Sequence, residues 1–237
     1  MNLPYPLFPR RATQVLDGIW SFKWLGDCDA DAVNPAKLDC DGHAPVPGVC
    51  DISPVRLNAR GVAAYRRAVR CTGGRMRLEI GGLGLYGRVF WDGALLGVCT
   101  GPWTPYAFDF ETGAGEHELT IVVDNRFTAE HPTLMHAYAD FYPFGGIYRN
   151  VVLRALPAKR IERVAVTTLD PATGRVRLAI RTAGFRDGRA AFAIAFDGRA
   201  PKTRELAVKA GVATVALKVP RFKVWTPDSP ALHVVEV

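Results

Sequence analysis

The chain is 237 residues long, 49% of them hydrophobic and 22% charged, and its 30 basic and 23 acidic side chains leave a formal net charge of +7. This balance belongs to a folded chain and excludes an intrinsically disordered one, and the length suffices to bury a core without disulfides or metals. No apolar run approaches the roughly 18–20 residues that cross a bilayer as a helix, so no membrane-spanning helix is expected.

The opening Met1-Asn2-Leu3-Pro4-Tyr5-Pro6 has two prolines and no long apolar core, and it does not read as a secretory signal. The five cysteines, at 28, 40, 50, 71 and 99, are odd in number and form no C-x-x-C pair. That pattern fits reduced thiols, and a cytoplasmic location is expected.

Apolar–polar alternation of period two then dominates. Trp20 and Phe22 mark the buried face of a first strand over residues 16–23. Residues 76–80, 118–123, 175–180 and 215–219 alternate in the same way, and Phe192, Ile194 and Phe196 line one face of another strand. No long segment shows an apolar period of 3.6. Half-buried strands punctuated by 23 glycines and 17 prolines predict an all-β chain of antiparallel sandwiches, not a parallel α/β fold.

Asp92-Gly93, between Val89-Phe90 and Leu95-Leu96, is a two-residue hairpin signal, because both turn positions need positive φ. Asp187-Gly188 and Asp197-Gly198 repeat it. Leu156-Pro157-Ala158-Lys159-Arg160 separates two alternating regions and predicts a boundary between domains 1–156 and 157–237; the second has the size of a small sandwich. The arginines are dispersed, as in Arg175-x-Arg177-x-x-x-Arg181, with no basic run longer than Arg10-Arg11 or Arg66-Arg67. They read as solvated strand faces, so no nucleic-acid partner and no membrane partner is expected, and the charge leans only faintly toward an acidic ligand.

Short motifs follow in a fixed order. Leu16-Asp17-Gly18-Ile19-Trp20-Ser21-Phe22-Lys23 leads to Pro45-Val46-Pro47-Gly48 and Gly61-Val62-Ala63-Ala64-Tyr65-Arg66-Arg67. Gly87-Arg88-Val89-Phe90-Trp91-Asp92-Gly93 leads to Thr104-Pro105-Tyr106 and Val122-Val123-Asp124-Asn125-Arg126. Asp140-Phe141-Tyr142-Pro143-Phe144-Gly145-Gly146-Ile147-Tyr148-Arg149 precedes Val151-Val152-Leu153, and Trp225-Thr226-Pro227-Asp228-Ser229-Pro230 lies near the end. The ordered set resembles the N-terminal part of family 2 glycoside hydrolases, which include β-galactosidases, β-glucuronidases and β-mannosidases. The stretch from Asp140 to Arg149 and the Trp225 tail carry most of the specificity, and the resemblance covers nearly the whole chain. Ala64 stands where the family commonly has Trp, and residues 50–63 have no clear counterpart.

The resemblance implies a galactose-binding-like jelly-roll sandwich over 1–156 and an immunoglobulin-like β-sandwich over 157–237. It implies a non-catalytic scaffold for the (β/α)8 barrel that does the family's chemistry, with the barrel missing from these residues. Retaining hydrolysis needs two carboxyl groups about 5–5.5 Å apart. The family's acid/base lies in an Asn-Glu pair, and that dipeptide does not occur here. No catalytic residue, no cofactor and no metal is therefore expected. The implied partners are a carbohydrate substrate held by the full-length enzyme, the barrel, and a second copy in a homo-oligomer. A free-standing carbohydrate-binding module and a structural sandwich pair without sugar contact stand as alternatives.

Asp140 is the candidate substrate-binding residue. The resemblance places it on a loop over the barrel mouth, where a carboxylate accepts hydrogen bonds from adjacent sugar hydroxyls; the alternative is that it holds its own loop through backbone N–H groups. Gly145-Gly146 predicts a turn that a Cβ would block, and Arg149 is expected to pair with an acid beneath it. Phe141, Tyr142 and Phe144 read as packing in preference to sugar platforms, and Trp20, Trp103 and Trp225 as core. Asp109, Glu111 and Asp124 read as capping or solvated acids. His131 and His136 lack a metal-binding setting, and the cysteines read as small buried residues. Gly81-Gly82-Leu83-Gly84 lacks the lysine of a phosphate loop. A surface that meets a barrel should show as an exposed apolar patch on the first domain.

Overall fold

The computed structural model describes residues 8, 11–128, 142 and 144–237. Its regular structure is β apart from one 3-10 turn, Pro35–Lys37, and no helix among the described residues is long and apolar enough to cross a membrane. The chain divides into two compact units, Met1–Leu156 and Pro157–Val237.

The first unit contains β1 (Thr13–Val15), β2 (Gly18–Gly26), β3 (Gly42–Val46), β4 (Val62–Cys71) and β5 (Gly74–Ile80). It continues with β6 (Tyr86–Trp91), β7 (Ala94–Cys99), β8 (Tyr106–Thr112), β9 (Gly115–Asp124) and β10 (Val151–Ala155). They form two antiparallel sheets, β1-β10-β5-β8 and β3-β2-β4-β9-β6-β7. Alternation decides which side chains meet between them. Trp20 and Phe22 of β2, Tyr65 of β4 and Ile121 of β9 share one buried cluster with Leu78 and Ile80 of β5 and Leu153 of β10. The intervening residues of β4 and β9 are also buried: Val62, Ala64 and Val122 pack with Ala30, Tyr86 and Phe90 on the opposite face of the larger sheet. Ala64 is small because that face is covered, with Cys28, Val33 and Leu38 packed against it.

The Asp92-Gly93 turn joins β6 to β7 with φ of 49° and 80°, the type I′ geometry its sequence predicts. Two polar features stabilise the unit from within. Arg154 of β10 donates to Glu79 of β5 at 2.7 Å and to Thr13 Oγ1 of β1 at 3.0 Å, with both charged groups almost fully buried. Asp124 has the capping role read from sequence, its Oδ1 accepting from Arg126 N at 2.9 Å, but it is buried and not solvated, and its carboxylate also accepts from Arg126 Nε at 3.0 Å and Nη2 at 2.7 Å. Asp109 pairs across strands with Arg77, at 2.6 and 2.9 Å.

The second unit contains β11 (Arg160–Asp170), β12 (Arg175–Ala183), β13 (Gly188–Phe196), β14 (Lys202–Lys209), β15 (Val212–Lys218) and β16 (Val235–Glu236). Their hydrogen-bonded order is β11-β12-β15-β14-β13-β16. β14 and β15 are joined by a two-residue turn, Ala210-Gly211, with φ of 48° and 73°, and pair only through Val208–Ala213 and Lys209–Val212. The sheet folds over at this hairpin. Val176, Leu178 and Ile180 of β12 thereby share one core with Phe192, Ile194 and Phe196 of β13. Asp197-Gly198 also has both φ values positive, 53° and 68°. Asp187-Gly188 does not form a hairpin: Gly188 opens β13 with φ of 145°, and β12 and β13 are not paired.

One device recurs in both units. Asp92 accepts from Glu118 N at 2.8 Å and meets His117 Nδ1 at 2.7 Å. Asp197 accepts from Val234 N at 2.9 Å and meets His233 Nδ1 at 2.9 Å. In each case the aspartate of an Asp-Gly turn holds the backbone and the histidine of a neighbouring His-x pair.

Candidate functional site

Asp140 lies outside the described residues, as do His131, His136 and Phe141. Tyr142 and residues 144–150 are described, and they enter a polar cluster at one end of the first unit. Four segments converge there: residues 48–51 before β4, residues 81–85 between β5 and β6, the end of β9, and residues 144–150 before β10.

The backbones interlock first. Gly48 N donates to Ile147 O at 2.7 Å, Cys50 N to Gly145 O at 3.0 Å, and Gly84 N to Gly146 O at 2.8 Å. Such an approach excludes side chains. Gly146 has φ of +110°, and a Cβ there would stand 2.7 Å from Gly48 O and 3.0 Å from the Tyr65 hydroxyl. A Cβ on Gly145 would stand 2.7 Å from Asn125 Nδ2. The Gly145-Gly146 pair is thus the tight turn that the sequence predicts.

The centre of the cluster is Asp51, which is 1% exposed. Its Oδ2 accepts from Asn125 Nδ2 and from Gly145 N, each at 3.0 Å. Asn125, equally buried, also donates to Ala59 O at 3.1 Å and accepts from Gly61 N at 2.8 Å. Arg60 closes the outside. Its Nη1 donates to Asn125 O at 3.1 Å, and its guanidinium lies 4.4 Å from the Tyr142 ring centroid. Asp51 Oδ1 and the Tyr142 hydroxyl have no well-formed hydrogen bond among the described residues. The two are nonetheless close: burial first, and then the Asp51 charge, raises the Tyr142 pKa. Below them burial holds the Cys50 thiol up at about 11 and raises the Tyr65 hydroxyl well above its ordinary range.

Arg149 has a different partner from the expected acid. Its Nη1 donates to the carbonyls of Trp103 at 2.7 Å and Gly81 at 3.3 Å, and the Tyr148 hydroxyl accepts from Trp103 N at 2.9 Å. Consecutive side chains of one loop therefore hold another loop by its backbone. Trp103 itself, with φ of +62°, is half exposed, and so is Trp225; of the three tryptophans read as core, Trp20 alone is buried. The rim is apolar. Ile52, Val55 and Leu57 are exposed on the loop after Asp51, and Phe144, also exposed, makes a tilted ring contact with Tyr142, centroids 4.8 Å apart.

Among the described residues, this arrangement holds backbone in place. Asp51 and Asn125 were not singled out from sequence. The available signal was the polar run Asp124-Asn125-Arg126 directly after the three apolar residues Ile121-Val122-Val123 of β9, because polar groups at the end of a buried strand must find partners.

No family model matches the chain. A β-galactosidase of Thermoanaerobacter pseudethanolicus is 29% identical over 121 residues, which are 48% of this chain and 16% of that protein. Among solved structures, a family 2 β-galacturonidase of Eisenbergiella tayi superposes with a TM-score of 0.79 at 23% identity, over 99% of this chain and 42% of its own. A β-glucuronidase of Bifidobacterium dentium gives 0.79 at 24% identity, over 98% and 46%, and one of Bacteroides uniformis 0.73 at 22%, over 95% and 30%. The chain spans less than half the length of these relatives. It has the fold of the N-terminal β-sandwich domains of family 2 glycoside hydrolases.

Proposed function

We propose that this chain is the non-catalytic N-terminal region of a family 2 glycoside hydrolase, a jelly-roll and an immunoglobulin-like sandwich that scaffold a catalytic barrel and lend it a sugar-contacting loop. One observation carries the reading: nearly all of the chain superposes on less than half of a β-galacturonidase. In this reading the barrel supplies the two carboxyl groups that cleave the glycosidic bond. This chain's residues fix where the loop emerges. The buried Asp51–Asn125 pair and the Gly145-Gly146 turn anchor the backbone a few residues after Asp140. Asp140 accepts hydrogen bonds from adjacent hydroxyls of the terminal sugar. The apolar rim around Val55, Leu57 and Phe144 gives the barrel a surface to cover.

Replacing Asp140 by Ala in the full-length enzyme tests the loop's role. The expected result is a fall in kcat/KM of at least about tenfold, the scale of one lost charge-assisted hydrogen bond. An unchanged kcat/KM would exclude the contact. Millimolar or tighter binding of neutral sugars by the isolated chain would instead favour a free-standing binding module.

A further inference from the structure

The charge of this protein is partitioned. Residues 157–237 hold 15 basic and 7 acidic side chains, a net +8, while residues 1–156 hold 15 and 16, a net −1. Within the second unit five of the fifteen cations lie on one sheet face. On β12, Arg175, Arg177 and Arg181 are exposed and alternate with buried Val176, Leu178 and Ile180. The flanking strands continue the face in register. On β11, Arg163 stands opposite Arg181 and Thr167 opposite Arg177. On β15, Lys218 stands opposite Arg175, Ala216 opposite Arg177 and Thr214 opposite Ala179.

Like charges directly opposite one another destabilise a sheet. Two such pairs occur here, Arg163–Arg181 and Arg175–Lys218. The ion pairs of this unit lie elsewhere, at Arg160–Glu162, Arg189–Glu205 and His233–Asp197. Asp170, opposite Arg175, is the acid at the border of the face. Five cations share this surface, and Asp170 beside Arg175 only partly offsets their mutual repulsion.

We propose that this face docks an acidic polysaccharide, a chain of uronate sugars. The choice of a sugar polymer rests on the glycosidase reading; the charge and shape requirements do not. Guanidinium forks match carboxylates bidentately. Strand geometry sets the cations on a grid about 10 Å wide and about 20 Å long, the size of a short oligosaccharide. Its floor is made of the small side chains of Ala165, Ala179 and Ala216, with the hydroxyls of Thr167 and Thr214 available to sugar hydroxyls. The face offers no aromatic platform for stacking bases and no helix to enter a duplex groove. Nor does it offer the large aromatic anchor on which a protein partner would rely.

Calorimetric titration of the chain with sodium polygalacturonate at low ionic strength tests this. The expected result is binding that weakens as salt is added, with neutral galactan not bound. R177S/R181S should lower the association constant by about tenfold. R199S/R204S removes the same charge from exposed positions outside the grid and should lower it by less than about threefold. Equal losses in the two double variants, tighter binding of duplex DNA or poly(dT), or no binding of polygalacturonate would each overturn the assignment. None of these readouts involves turnover, so a failure here is separable from a failure of the Asp140 test. Unchanged circular dichroism confirms that the variants fold.

Discussion

Asp51 and Asn125, 74 residues apart, meet at 3.0 Å with both side chains buried, and the same Asp51 oxygen takes the backbone N–H of Gly145. One carboxyl group thus joins the segment before β4, the end of β9 and the glycine turn before β10. Removing it strands two buried donors.

Asp51→Ala should therefore cost about 3 kcal/mol of folding stability. Tyr142→Phe removes a hydroxyl without a well-formed partner and should change stability by less than about 1 kcal/mol. Urea denaturation of the two variants checks the contrast, and equal losses would remove Asp51 from its central position.

Gly146→Ala should be poorly tolerated. The residue combines φ of +110° with backbone 2.7 Å from the position of a Cβ. A loss of about 3 kcal/mol or more is expected, or failure to accumulate as folded protein. Gly113 has neither constraint, with nothing within 4 Å of a built Cβ. Gly113→Ala should be nearly neutral in the same urea denaturation.

How much of this was readable beforehand depends on range. The Asp92-Gly93 hairpin was legible because positive φ is a demand made by two adjacent residues; Asp197-Gly198 keeps the positive φ values but closes no two-residue hairpin, since β13 and β14 pair only from Ile194–Lys202 and Phe196 turns to β16. Asp187-Gly188 carries the same letters, yet its neighbours β12 and β13 do not pair, and pairing is decided far away. The face of Trp20 followed from local alternation. Trp103 and Trp225 lie outside strands, where no period reports burial, and both are exposed. Asp51 and Asn125 become a unit only through a contact no window of sequence contains, and Arg149 found carbonyls for the same reason. The charge partition was present in the composition, but its concentration on one face required the register.

The buried Glu79–Arg154 pair gives an asymmetric expectation. Glu79→Leu alone leaves a buried guanidinium unpaired and should cost about 3–5 kcal/mol. Adding Arg154→Met should recover most of that loss, because two apolar groups of similar size are tolerated where one lone charge is not. A double-mutant cycle measured by urea denaturation decides the matter; additive losses would contradict it.

The His117–Asp92 clamp sets a pH dependence. The hydrogen bond to Asp92 raises the His117 pKa above 6.5. Its contribution is therefore fully present below 6.5 and is lost as pH rises through the elevated folded value. Asp92 is held below 3.8, against the opposing effect of its partial burial, by the Glu118 N–H and then by His117. Its contribution is present above 3.8 and is lost as pH falls through the lowered folded value. The difference in Tm between the parent and His117→Gln should be largest near pH 5 and smaller at pH 8. A difference that does not change with pH would show that the clamp works only as a neutral hydrogen bond.

Among the described residues β7 ends the hydrogen-bonded order of the larger sheet, and that position has a practical consequence. Its sequence, Ala94-Leu95-Leu96-Gly97-Val98-Cys99, contains no charge and no proline, and Leu95 and Val98 are exposed. By contrast β8, at the margin of the smaller sheet, carries Asp109 and Glu111. An unguarded margin is a template on which another extended chain can add. Self-association in concentrated solutions should begin there, and Leu95→Lys should suppress the light scattering that accompanies it while leaving the melting temperature nearly unchanged.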